Sequence, residues 1–430
     1  MLSNGDEPLG ANTEAARSHR LDAAQITAVG AFAQAEVGYF DRDQGSYSPT
    51  VMRSGSVRWA RCAWSIPLVL SAGLLAACSG GPDDSAAAPA SPSAGISTNS
   101  SRPATAGPNL DAPQELVTGI DVPWGVAFLP GGDALISERD SGRILQLPAQ
   151  GGKPRQVYRV PGVAAQGEGG LLGLAVSPDY TQDRYVYAYF TSRSDNRIVR
   201  FRLDDDSAPE VIFQGLAKAN VHNGGRIAFG PDGMLYVGTG DATRRELAQD
   251  PDSPNGKILR LTPSGESAPG NPTDGSPVYS LGHRNVQGLT WDSQDRLWAI
   301  EFGQDRYDEV NLIKPGDNDG WPQVEGKGDT QGGKFTNPLV VWGTDKASPS
   351  GATIIGDTLY VAALKGERLW TVPLDGEHTG EPAAELDGKY GRLRTAVAAP
   401  DGSLWLTTSN TDGRGQPRDG DDRILRFPAS

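Results

Sequence analysis

The stretch that decides the fold runs from Val221 to Asp241 and reads VHNGGRIAFGPDGMLYVGTGD. Arg226 to Phe229 lead into Pro231-Asp232-Gly233, and Met234 to Val237 resume an apolar run. Proline fixes φ for the turn and glycine tolerates the positive φ that closes it, so a hairpin of two buried strands is predicted. His222, one of four histidines in the chain, stands just ahead of that hairpin and is followed after Asn223 by Gly224 and Gly225. A titratable side chain is thereby delivered to the mouth of a β unit.

Working outward, the same form recurs: a small or glycine residue, an apolar strand, a turn and a second apolar strand. The six copies begin at Trp124, Gly173, Arg226, Gln287, Ser350 and Arg394. A third strand follows at Arg143 to Leu147, Arg197 to Leu203, Lys257 to Leu261, Asp308 to Ile313, Arg368 to Leu374 and Arg423 to Phe427. Repeats of roughly 45 to 63 residues with three or four strands each and no helical periodicity predict an all-β, six-bladed β-propeller over residues 110–430. The last blade lacks an outermost strand, and the apolar segment Gln114 to Ile120 is expected to supply it, closing the ring and removing an exposed edge. A pair of stacked β-sandwiches is the alternative, disfavoured by the evenness of the repeat.

The upstream residues read differently. Residues 1–51 are polar and weakly patterned, and form an upstream extension ahead of a second methionine, Met52. From there Arg53, Arg58 and Arg61, the apolar run Ile66 to Leu75, and Leu75-Ala76-Ala77-Cys78 have the order of an export signal over residues 52–78. The LAAC segment resembles a bacterial lipobox, which implies lipid attachment at Cys78 and a protein exported and anchored to the outer face of the cell membrane. The apolar run is shorter than the ~20 residues of a membrane span. Residues 79–109, rich in Ala, Ser, Pro and Gly, are predicted to be a flexible tether. Both cysteines, Cys62 and Cys78, lie in the leader, so the body forms no disulfide of its own. A formal charge of −14 argues against a nucleic-acid partner.

In a propeller, loops leading into the inner strands converge on one end of a central channel. Glu168 lies in the loop before the second inner strand, His222 before the third, Arg284 and Asn285 before the fourth, and Arg392 and Arg394 at the sixth. Lys365 follows the second strand of the fifth repeat. Several cations facing one channel are costly unless an anion fills it or each pairs with a local Asp or Glu, and arginine forks suit carboxylates and phosphates. His222, with an unperturbed pKa of ~6.5 and open glycine backbone beside it, is the candidate general base. His283, between Gly282 and Arg284, is its competitor and is expected to shape the loop.

HNGGRIAFGPDGMLYVGTGD, GHRNVQGL, the EFGQ…DEVN segment and GRLRTAV…PDG, in that order across residues 112–428, resemble the soluble quinoprotein sugar dehydrogenases of the glucose/sorbosone dehydrogenase family. The resemblance implies a six-bladed propeller that holds pyrroloquinoline quinone (PQQ) and calcium in its channel and oxidises aldose sugars at C1 to lactones by hydride transfer to the quinone. It implies His222 as the base, with Glu168, Arg284, Asn285, Lys365, Arg392 and Arg394 holding PQQ and the carbonyls of Gly303 and Gln304 binding calcium. The electron acceptor is left unassigned. Phe302 and Gln304 depart from the His or Gln and the Pro often found there, and Asp319 stands where Tyr is usual. A calcium-dependent lactonase propeller and a non-catalytic binding propeller are the competing readings.

Overall fold

A computed structural model describes residues 107–205 and 207–430, together with the backbone of three upstream strands. Those strands, Ala24–Ile26, Gln34–Asp41 and Ser46–Arg53, form an antiparallel meander within a separate unit, where composition had given no pattern. Cys78 and nearly all of the predicted signal and tether lie outside the described residues.

The body is six antiparallel sheets, one per repeat. Their innermost strands are Pro123–Phe128, Leu171–Val176, Ile227–Phe229, Val286–Trp291, Pro349–Ile355 and Leu393–Ala398, and each contacts the next until the sixth meets the first. The central hairpin is as read, with Ala228 opposite Tyr236 and Phe229 opposite Leu235. Among the described residues helix is confined to single turns, Tyr180–Asp183 and the 3₁₀ turn Arg245–Ala248. The sixth sheet takes its outermost strand from Gln114–Thr118, which pairs antiparallel with Arg423–Phe427 in the register Ile424 to Val117. The closing strand therefore falls where the missing edge required it.

The repeat pattern has a packing cause. Six apolar clusters fill the six interfaces between neighbouring blades, so the sheets are covered on both faces. Second strands such as Leu297–Glu301 and Leu404–Thr408 are buried at every position, which is why they read as continuous apolar runs rather than alternating ones. At the hub, inner strands crowd together: a Cβ on Gly125 would stand 2.7 Å from the Leu172 carbonyl oxygen, and one on Gly351 2.7 Å from Thr395 Cα. That crowding is the reason for the small residue at the head of each repeat.

Strand direction alternates within a blade, so the loops entering the inner strands and those joining second to third strands open at the same end. His222, Asp241, Arg284, Gln304, Lys365 and Asp412 all belong to these loops.

Candidate active site

His222 adopts a left-handed backbone (φ 61°), a costly conformation for a non-glycine residue that the surroundings must enforce. They do so by hydrogen bonds: its N–H donates to Glu168 Oε2 (3.0 Å) and its carbonyl accepts from Ala242 N–H (3.2 Å). The imidazole Nδ1 lies 2.8 Å from Asp241 Oδ1. The same oxygen accepts the Thr243 N–H (2.7 Å), and Oδ2 accepts the Trp321 indole N–H (2.9 Å). Burial alone would raise the Asp241 carboxyl, but the bond to and charge of His222, with the donors from Trp321 and Thr243, hold it below the usual carboxylate range. An ionised carboxylate only accepts, so the proton of a neutral His222 sits on Nδ1 and the lone pair on Nε2.

That lone pair meets Arg284, whose Nη2 is 2.6 Å from His222 Nε2. Arg284 is buried and also donates to the Phe302 carbonyl (3.2 Å) and, through Nε and Nη2, to Gln304 Oε1 (3.0 and 2.8 Å). Asn285 gives its side-chain oxygen to the Gly224 N–H (2.9 Å), while its Nδ2 makes no hydrogen bond among the described residues.

Across the channel, Arg392 and Arg394 share Asp412, at 2.9 and 3.6 Å. Of the two readings left open by the sequence, pairing with a local acid therefore holds for these two, and Arg284 touches neither of them. The pairing is incomplete for Arg394: its Nη1 bonds Gln287 Oε1 (3.0 Å), but its buried Nε has no partner among the described residues, and burial pushes the guanidinium down to about 9. Lys365 is exposed and makes no hydrogen bond or ion pair among the described residues.

Glu168 finds the cationic neighbour that facing an anion requires. Arg414 reaches its Oε1 at 2.6 Å, and although burial acts the other way, this bond, the Arg414 charge, the His222 N–H and Arg394 hold its carboxyl below the ordinary range. The carbonyls of Gly303 and Gln304 accept no hydrogen bond among the described residues, whereas their N–H groups are taken by Asp308 Oδ1 (3.0 Å) and Glu325 Oε1 (2.8 Å). His283 is sealed in the interior between Glu301 (2.8 Å) and Ser280 (2.8 Å), where it supports the loop instead of facing the channel.

Sequence reasoning missed Asp241, Asp412, Arg414 and Trp321, and it assigned Gln304 by backbone alone. It also treated Arg226 as the head of a strand; the side chain is buried in the hub, 4.4 Å above the Trp124 ring, donating to the Gln287 carbonyl (2.7 Å). Asp241 was findable, since it stands three residues beyond Gly238, the end of the second strand of the same hairpin that His222 precedes.

A histidine–aspartate pair with its free nitrogen turned to an arginine, opposite buried cations that are not fully satisfied, defines an enzyme-type site made to take an anionic ligand. Known proteins agree with this class. The glucose/sorbosone dehydrogenase family model matches residues 120–425. The structure of a PQQ-bound aldose sugar dehydrogenase from Streptomyces coelicolor is 54% identical, covering 75% of this chain and 100% of that one with a TM-score of 0.71. A glucose dehydrogenase-like oxidoreductase from Thermus thermophilus is 45% identical, covering 73% and 99%, at a TM-score of 0.68. The aldose sugar dehydrogenase YliI of Escherichia coli is 29% identical over 331 residues, covering 68% of this chain and 89% of its own. The chain belongs to the glucose/sorbosone dehydrogenase family.

Proposed function

We propose that the protein is a PQQ-dependent quinoprotein that oxidises aldose sugars at C1 to lactones, with His222 as general base. The observation that carries this reading is the His222–Asp241 pair facing cations with unused donors. The residues fit the cofactor: Arg394 Nε, Lys365 Nζ and Asn285 Nδ2 are donors without partners among the described residues, Arg284 is the chain neighbour of Asn285, and the charges of Arg392 and Glu168 act on Arg394. Calcium would rest on the Gly303 and Gln304 carbonyls, oxygen acceptors that take no hydrogen bond among the described residues.

When bound, PQQ supplies the two-electron acceptor for the hydride of sugar C1. The chain's part is proton chemistry and placement. Asp241 keeps Nδ1 protonated, so Nε2 takes the proton of the C1 hydroxyl, and Asp241 stabilises the imidazolium that results. Glu168 fixes the His222 backbone, and thus the height of the ring in the channel.

The test is reconstitution of the purified protein with PQQ and calcium, followed by dye reduction with a panel of aldoses. Uptake of the quinone chromophore with aldose-dependent turnover supports the reading, and absence of uptake sinks it. The leader carries a further part of the proposal: export, with lipid attachment at Cys78. Cys78→Ser should abolish incorporation of a labelled fatty acid and release the protein from membranes.

A further inference from the structure

Gln304 places an acceptor under the arginine that covers the base. Its side-chain oxygen receives both Nε (3.0 Å) and Nη2 (2.8 Å) of Arg284, and the same Nη2 lies 2.6 Å from His222 Nε2. Guanidinium has only donors, so Gln304 must present its oxygen, not its nitrogen. One further bond, Nη1 to the Phe302 carbonyl (3.2 Å), completes the grip. Among the described residues no carboxylate makes a hydrogen bond or ion pair with the Arg284 side chain; Asp241, Glu168 and Glu325 act on it only through space, and Glu301 accepts its backbone N–H (2.7 Å). Its charge is therefore spent on neutral acceptors, and an anion in the channel would compete for it on favourable terms.

We infer that Gln304 is a positioning residue: its side-chain oxygen holds Arg284 across His222 Nε2, so that the base is capped in the ligand-free protein and freed when an anionic ligand draws the guanidinium away. This rests on the proposed role of His222, yet it concerns the ligand-free state and can fail separately. The base and the ligand share one guanidinium. Because the capped nitrogen is the one that would receive the substrate proton, a site lacking its ligand is also a site lacking a usable base.

The test follows acylation of histidines by diethyl pyrocarbonate, which reacts at an accessible imidazole lone pair, in the ligand-free full chain, with each site read by peptide mass spectrometry. Two other histidines serve as internal references: His378 is exposed and reports the reagent, and His283 is fully buried and reports the fold. Gln304→Leu removes the acceptor and is expected to raise the His222 rate about fivefold or more relative to His378, with His283 unreactive. Gln304→Glu keeps an acceptor and is expected to leave the ratio at or below that of the unaltered protein. An unchanged His222 rate in Gln304→Leu overturns the inference. So does an equal rise in Gln304→Glu, or a rise at His283 in parallel, since either would make packing rather than the acceptor responsible. The PQQ titration decides the proposed function independently: cofactor uptake with no change in His222 acylation would defeat only the cap.

Discussion

Trp321 and Asp241 are 80 residues apart in sequence, yet the indole N–H of one donates to Oδ2 of the other at 2.9 Å. With Oδ2 held there, Oδ1 has a single orientation, toward Nδ1 of His222. All three groups around the carboxylate, from Trp321, Thr243 and His222, are donors.

Asp241→Asn therefore brings an NH₂ group against at least one donor. Turned toward His222 the NH₂ opposes the Thr243 N–H as well as Nδ1–H, turned toward Trp321 it opposes the indole N–H, and in either case the negative charge that steadies the imidazolium is gone. With the cofactor bound, kcat should fall about 10²–10⁴-fold while PQQ affinity changes little. Steady-state dye reduction and a PQQ titration on the same preparation check both halves.

Lys365 differs from Arg392 and Arg394 because, among the described residues, no acid shares it. Lys365→Gln should weaken PQQ binding by about tenfold or more, as expected for losing one charge-assisted hydrogen bond. The loss should grow as ionic strength is lowered, since screening no longer masks the missing charge. Equilibrium binding at two salt concentrations measures it.

His283 gives a pH dependence of stability. Burial alone would lower its pKa, but the carboxylates of Asp319, Glu301 and Glu309 outweigh burial and push it up to about 9. A group raised in the folded state stabilises fully below its unfolded value of ~6.5, and that contribution is lost as pH rises toward 9. Burial raises Glu309 to about 8 and Asp319 to about 7, so these carboxyls also lose folded-state protons as pH climbs and add to the same trend. The melting temperature of the ligand-free protein should fall by several degrees between pH 6.5 and pH 9, with a shallower slope in His283→Gln. Thermal melts across that range provide the check.

Gly125 is not at positive φ, so alanine there meets only a steric obstacle: the Leu172 carbonyl oxygen at 2.7 Å and the Leu174 nitrogen at 2.9 Å from the new Cβ. Gly125→Ala should cost about 1–3 kcal/mol by prying the first and second blades apart at the hub. Denaturant unfolding would show the midpoint shift, whereas alanine at Gly131, with open space around its Cβ, should show almost none.

The fold was legible because a propeller writes itself as repetition. Apolar runs, turn residues and small hub residues recur in each blade, and even the closing strand announced itself as an apolar segment with no partner nearby. The site was half legible. Residues that head the inner strands, His222, Arg284 and Arg394, could be placed by position alone. Their acidic partners could not, because Asp412 lies in an unpatterned loop between Thr408 and Arg423 and the Arg414–Glu168 contact spans 246 residues. A chain of abundant acids offers many candidates for each arginine, and only three-dimensional contact chooses among them. Asp319 illustrates the limit: a departure visible in sequence, it is buried beside His283 (3.4 Å) with neither oxygen hydrogen-bonded among the described residues.

The strand Gln114–Thr118 has a consequence for how the molecule is made. Arg426 reaches Gln114 across 312 residues, and the ladder beside it cannot form until both ends exist. During synthesis the earliest strand of the body must wait, unpaired, for the latest. Closure is the slow, long-range step that such a topology imposes. It also acts as a check on completeness: a product ending before Arg423 would have every catalytic residue named here and still leave two sheet edges open, free to pair with another chain.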